Sequence, residues 1–185
     1  NKKNAAVPNG SEGFRWDSSN KWNLDLNDIN PKMSFLDEAD DTVLVEFPYF
    51  AEKDGGTIRR GVPIKKIKNI DGHEMVITTV FDLMLAHSGI GRGLPGDYPL
   101  DYDDAQSPYT PAWQEKITGV SKSHCIQVAR EFAENAALTE GKSMIAMGGG
   151  TNHWFHSDQI YRSILNLVLL TGSQGVNGGG WAHYV

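Results

Sequence analysis

The chain has 185 residues, 39% hydrophobic and 22% charged, with a formal net charge of −6. That length suffices for one domain with a sizeable core, and the acidic balance argues against nucleic acid or an anionic membrane surface as partner. The longest apolar run, residues 164–170 broken by Asn166, is too short to span a bilayer, and the lone Cys125 excludes an intrachain disulfide or a four-cysteine metal or iron–sulfur site.

Asn1-Lys2-Lys3-Asn4 leads into polar sequence rather than the apolar core of a signal peptide. The first forty residues are rich in Asn, Asp and Ser and read as irregular structure pinned by Phe14, Trp16, Trp22, Leu24 and Leu26. Residues 42–47 (TVLVEF) suit a strand ended by Pro48. Runs 62–70 and 74–80 flank Asp71-Gly72, a hairpin signal. Residues 80–86, with Phe81, Leu83, Met84 and Leu85, turn helical.

Residues 88–111 are rich in Gly, Pro, Asp and Tyr and read as one long loop, of the length that serves function or covers something. Its Asp run is most simply a solvated face. Residues 118–137 form a helix capped by Ser121, with Cys125, Ala129, Phe132, Ala133 and Ala136 on one stripe and Gly141 past its end. On that stripe Cys125 is a core residue, while His124 lies on the surface. Residues 143–147 then form a buried strand. Gly148-Gly149-Gly150 follow as a loop, then a helix over 159–171 with Ile160, Ile164, Leu167, Val168 and Thr171 as its core face. The fold class is α/β: residues 112–185 as part of a layered, Rossmann-like parallel-sheet domain, residues 1–111 as a β-rich, irregular part. A start without Met and an end at Trp181-Ala182-His183-Tyr184-Val185 suggest a fragment of a longer polypeptide.

The glycine run carries the chemistry. Glycines at a strand's C-terminal end permit positive φ and close approach of main-chain N–H groups to a phosphate-bearing cofactor. No Lys-Ser/Thr follows, so this is not a P-loop. It nearly matches the dinucleotide fingerprint, but His153 stands where the third glycine belongs. Asn152, His153, Trp154 and His156 offer amide, imidazole and stacking faces suited to a polar heterocycle. Other readings stay open here: a tight turn with no ligand, packed aromatics, or a metal held by His153, His156 and His183. Arg92, Arg130 and Arg162 can pair with phosphate or with carboxylates, and Arg162, close behind the glycine run, is the better phosphate candidate. No G-x-S-x-G elbow supports a hydrolase.

Several stretches carry a resemblance: GFRWDSSNKWNLDL (13–26), TTVFDLMLAHSGIGRGL (78–94), YTPAWQEKITGV (109–120), VAREFAENAALTEGKSM (128–144), GGGTNHWFH (148–156) and GSQGVNGGGWAHYV (172–185). Together they resemble the catalytic alpha subunit of respiratory, membrane-bound nitrate reductase, in the molybdopterin oxidoreductase superfamily. The resemblance implies a piece from the interior of a large subunit. That subunit holds molybdenum in a bis-molybdopterin guanine dinucleotide and an iron–sulfur cluster, the cluster lying outside this piece. It reduces nitrate to nitrite with electrons relayed from quinol through an iron–sulfur beta subunit and a haem-bearing gamma membrane subunit, at the cytoplasmic face of the cell membrane. Related reductases of chlorate, perchlorate or selenate, and a non-catalytic α/β binding lobe, are the alternatives.

The cysteine-rich cluster motif and the segment with the aspartate ligand of molybdenum are absent here, so no metal ligand and no catalytic residue is assigned. The isolated chain is expected to be inactive. What carries over is Gly148, Gly149, Gly150, Asn152 and His153 as cofactor-binding residues. Gly172, Gly175, Gly178, Gly179 and Gly180 are further backbone contacts or simply turns and helix caps.

Overall fold

The computed structural model describes residues 24–25, 33–49, 56–69 and 71–183. The expectation of irregular structure pinned by aromatics therefore falls almost wholly outside the described residues. The chain divides into two compact units, Asn1–Ile117 and Thr118–Val185. The architecture is mixed α and β, with a β-rich first unit and a helix-rich second one.

The first unit is built on one long strand. β3 (Gly56–Asn69) pairs antiparallel with β2 (Asp41–Tyr49) along its first half and with β4 (Glu74–Ile77) along its second; β1 (Leu24–Asp25) pairs with Lys68 and Asn69. The expected hairpin is there, in a four-residue form. The Asn69 carboxamide oxygen accepts from the N–H groups of Asp71 and His73, and Gly72 turns at φ +82°.

Two expectations change. β2 runs through Pro48 instead of ending there, because among the described residues β2 is an edge strand and a missing N–H on an open edge costs nothing. β3 begins at Gly56, six residues before the apolar run that announced it. Its early half carries Arg59 and Arg60, which hid it. Arg59 is exposed beside Glu46, whereas Arg60 is fully buried, in phase with Ile58, Val62 and Ile64. With Phe47 and Ala86 these three form the core, where Val45, Tyr49, Leu83 and Tyr109 pack against them.

α1 (Val80–His87) follows β4 as expected. The Thr79 hydroxyl accepts from the Asp82 N–H and donates to the Asp82 carboxylate, a reciprocal N-cap. Its end is a Schellman turn: Gly89 at φ +87° donates to Ala86 O, and Ile90 donates to Leu85 O. Arg60 Nη1 adds bonds to the last carbonyls, Ala86 O at 3.0 Å and His87 O at 2.8 Å. Burial, and then the nearby charge of Arg60, holds the His87 imidazole below its ordinary pKa.

The long stretch after α1 does cover something. Pro95 O accepts from Gly61 N–H, Asp97 N–H donates to Arg59 O, and the Asp97 carboxylate accepts from Arg59 N–H. These bonds close the edge of β3 that β4 does not reach. Gly96 is required there: at φ +126°, a Cβ would lie 2.5 Å from Arg59 O. Tyr98 donates to Gly61 O, and Arg60 Nε donates to Asp97 O. The Asp run is less idle than a solvated face. Asp104 accepts from Ser107 Oγ and from the N–H groups of Ser107, Gln106 and Leu100, and these bonds bring its carboxyl down to about 2.

This stretch ends where expected, at Pro111, but leads into a helix the sequence reading did not include. α2 (Pro111–Thr118) is a separate helix with proline at its first position and the Thr110 hydroxyl accepting from Trp113 N–H. The next helix, α3 (Lys122–Leu138), starts four residues later than 118, after Gly119 at φ +74° breaks the run. Ser121 caps it as anticipated, by accepting from His124 N–H. Its stripe is only partly covered within this chain: Ala136 is buried, Cys125 and Phe132 half-buried, Ala129 and Ala133 exposed. Cys125 is thus half-buried, not a core residue of this chain.

The second unit continues with β5 (Met144–Met147), a single helical turn α4 (Gly149–Asn152), α5 (Ser157–Leu170) and β6 (Gly180–His183). β5 and β6 pair in parallel, Met144 opposite Gly180 and Met147 opposite His183. Strand, helix and parallel strand make a βαβ unit. β5 exists where expected but is not a buried strand throughout, since Met147 is buried and Met144 half-exposed. The α5 stripe holds: Val168 is buried, and Ile160, Ile164 and Leu167 are half-buried.

Asp82 is the second buried charge. Its side chain is fully buried and accepts from Ser34 Oγ, the Phe35 N–H, Thr79 Oγ1 and Arg92 Nη1, the last at 2.9 Å. Arg92 thus pairs with a carboxylate. Burial alone would raise the Asp82 carboxyl, but these donors outweigh it and hold it below the ordinary carboxylate range. Asp82→Ala, which strands Arg92, should cost about 3 kcal/mol or more in urea unfolding. Because the folded pKa is depressed, the Asp82 contribution is complete above the unfolded value of about 3.9 and disappears as pH falls through the folded value below it. An unfolding midpoint for Asp82→Ala equal to that of the parent at pH 7 would contradict this.

Candidate functional site

A parallel pair with a helical crossover exposes the C-terminal ends of its strands, the edge where α/β folds collect ligand-binding groups. Here that edge is residues 148–152 after β5 and His183 at the end of β6.

The three glycines behave differently from expectation. None of Gly148, Gly149 and Gly150 has positive φ. Gly148 is extended, at φ −156° and ψ −157°, and caps the turn Gly149–Asn152; the bare loop is in fact a helical turn. A Cβ at Gly149 or Gly150 would meet no atom within 4 Å. Neither backbone conformation nor packing within the described residues calls for glycine at these two positions. The open space beside them is what a group lying against the main chain would need.

The glycines after α5 have local reasons. Gly172, at φ +65°, is the C′ residue of a second Schellman turn: it donates to Leu169 O, and Ser173 donates to Val168 O. Gly175, Gly178 and Gly180 also have positive φ. At Gly179 a Cβ would fall 2.0 Å from Gly141 O.

Asn152 closes the helical turn, half-buried, with Oδ1 3.4 Å from His183 Nε2. The same nitrogen is 2.8 Å from the Tyr161 hydroxyl, which α5 supplies. Tyr161 and His183 meet edge to face at 5.1 Å, and Trp181 packs on both, at 5.3 and 5.2 Å. The Trp181 indole N–H is buried with no acceptor among the described residues. Thr151 Oγ1 donates to Gly148 O and lies 3.5 Å from the Tyr161 hydroxyl. Trp154 is largely exposed and donates its indole N–H to Gly150 O.

His153 is exposed on the chain segment leaving the turn, and His156 is exposed with its ring edge-on to Phe155. The histidines do not assemble around a point. Among the described residues no three His, Cys, Asp or Glu side chains could hold a metal ion. Arg130 and Arg162 are exposed on their helices. Tyr161 and Trp181 were not singled out in the sequence, and His183 only as a metal ligand. The legible signal was Gly180-Trp181-Ala182-His183, a short strand-like run behind a glycine cluster.

The family model for molybdopterin oxidoreductase matches residues 9–185. The nitrate reductase alpha chain of Bacillus subtilis is 52% identical over 186 aligned residues, covering 97% of this chain and 15% of the relative. The nitrate reductase alpha subunit of Mycobacterium tuberculosis is 51% identical over 191, covering 97% and 15%. The respiratory nitrate reductase 1 alpha chain of Escherichia coli is 44% identical over 196, covering 97% and 16%. The chain thus spans about 15% of the length of the curated relatives it matches. No helix among the described residues is long and apolar enough to cross a membrane.

The contrast between glycines is testable. Gly179→Ala drives a Cβ into Gly141 O and should destabilise the protein by about 2 kcal/mol or more, as overpacking does. Gly149→Ala, with open space and a helical backbone, should be neutral or slightly stabilising. Thermal unfolding of the two variants side by side checks this.

Proposed function

The chain belongs to the molybdopterin oxidoreductase family, and from that premise we propose that the whole protein is a respiratory nitrate reductase alpha subunit, reducing nitrate to nitrite at a molybdenum bis-molybdopterin guanine dinucleotide. In this reading residues 148–153 form one wall of the cofactor site. The single observation that carries it is the open space beside Gly149 and Gly150 at the C-terminal edge of a parallel strand pair. The unpartnered, buried indole N–H of Trp181 beside the same edge is a second point of fit.

Gly148, Gly149 and Gly150 would admit the pterin dinucleotide against the main chain, and Asn152 and His153 would offer it polar contacts. Gly172, Gly178 and Gly179 shape the return of the chain to β6 and would reach the cofactor through main-chain groups. When bound, the cofactor would supply the metal chemistry for removing an oxygen atom from nitrate. The part of this chain is to hold it and keep its pocket in shape. The βαβ unit would belong to a larger, Rossmann-like parallel sheet completed by the rest of the subunit. An iron–sulfur cluster elsewhere in that subunit, an iron–sulfur beta subunit and a haem-bearing gamma subunit would deliver electrons at the cytoplasmic face of the cell membrane.

Gly149→Leu tests the wall directly. The substitution suits a helical turn, and its Cβ meets no atom within 4 Å, so the full-length subunit should still fold. Its molybdenum content should fall severalfold. Parent-like molybdenum content in the folded variant rules out a cofactor against Gly149. His153→Ala should lower cofactor retention or nitrate turnover, and no change in either takes His153 out of the site.

A further inference from the structure

A turn that begins Gly-Gly-Gly has the greatest backbone freedom a chain can have, and no Cβ contact restrains it. Its position must be set by neighbours. Side-chain links among the described residues do so, including Trp154 to Gly150 O, Thr151 toward Tyr161, and Asn152 to His183. The last two end on one pair of residues that lie outside the turn, Tyr161 of α5 and His183 of β6.

We propose that Tyr161 and His183 are positioning residues that fix the Asn152 carboxamide and the glycine turn against the edge of the parallel pair. The inference deepens the cofactor reading and rests on it. His183 Nε2 lies within 2.8 Å of the Tyr161 hydroxyl and 3.4 Å of Asn152 Oδ1, so one imidazole nitrogen stands where helix, strand and turn meet and can bond to either the phenol or the carboxamide. The ring packs against Tyr161, at 89° to it, and against Trp181, at 31°, and both contacts favour this placement. The tautomer decides which partner receives a hydrogen. With the proton on Nε2, the ring donates to Asn152 or to the phenol oxygen; with it on Nδ1, the phenol donates to Nε2. His183 is exposed and Tyr161 half-buried, so each bond adds little to global stability. Their loss displaces the site without unfolding the protein.

The test uses the full-length enzyme carrying Tyr161→Phe, His183→Ala or His183→Gln. The readouts are molybdenum per subunit, the molybdenum EPR spectrum and the thermal midpoint. His183→Ala should lower molybdenum content by about tenfold, the scale seen when outer partners of a metal site are lost. His183→Gln, whose amide can face both Tyr161 and Asn152, should restore most of it. Tyr161→Phe removes one oxygen atom and should shift the EPR spectrum with the midpoint unchanged. If His183→Ala fails to accumulate, Tyr161→Phe decides alone. Parent-like molybdenum content and EPR spectra in the accumulated variants overturn the proposal. Gly149→Leu separates the two levels: loss of molybdenum there, with parent-like Tyr161 and His183 variants, removes only the positioning pair. Parent-like molybdenum in all of them removes the cofactor wall as well.

Discussion

Two parallel strands cannot be joined by a tight turn; the chain must leave one end of the pair and travel back to the other. Everything at the candidate site follows from that constraint. β5 ends at Met147 and β6 ends at His183, side by side, because α5 carries the chain back between them. The return brings Tyr161 within reach of His183 and puts Asn152 on the same nitrogen. The Schellman turn at Gly172 and the close approach of Gly179 to Gly141 O are how the chain leaves α5 and enters β6 with so few residues.

The first unit solves a different problem, and does so with charge. Arg60 and Asp82 occupy positions where an aliphatic side chain would seem simpler. Each hydrogen-bonds to more than one separate element. Arg60 joins the sheet to the end of α1 and to the loop at Asp97; Asp82 joins the start of α1 to Ser34, Phe35 and Arg92. Buried ion pairs are poor sources of net stability, but removing one partner is severe. Among the described residues Asp82 has its ion partner in Arg92, whereas Arg60 is held by backbone carbonyls.

Local patterns were readable in the residues, and long-range ones were not. Asp71-Gly72, the apolar run at 80–86, Ser121 and the α5 stripe are short-range signals, and each element they announced is present. α2 was hidden because its Thr110-Pro111 start lies in a stretch dominated by Gly, Pro and Asp. The early half of β3 was hidden because Arg60 looks like a surface residue until Asp97, Ala86 and His87 are seen around it. The stripe of α3 was read with the right period, yet Ala129 and Ala133 are exposed, since a periodic face does not say what covers it. At the candidate site the glycines were legible as a feature, but their open Cβ positions and the Tyr161–His183 pair depend on the crossover.

The bonds from residues 95–98 to β3 carry a consequence for how the chain is made. A strand with unpaired N–H and C=O groups along one side is a template for any other strand that meets it. In β3 that side is sealed by a segment that leaves the ribosome well after the strand itself. Until Pro95 and Asp97 arrive, Arg59 and Gly61 stand open beside an apolar face. The charge on Arg59 makes that interval less hazardous, since a charged residue on an open edge disfavours docking of a neighbouring strand, while the bare Gly61 is what lets Pro95 come close. The loop then acts as the last hem of the sheet, and the glycine at 96 is what lets it lie flat.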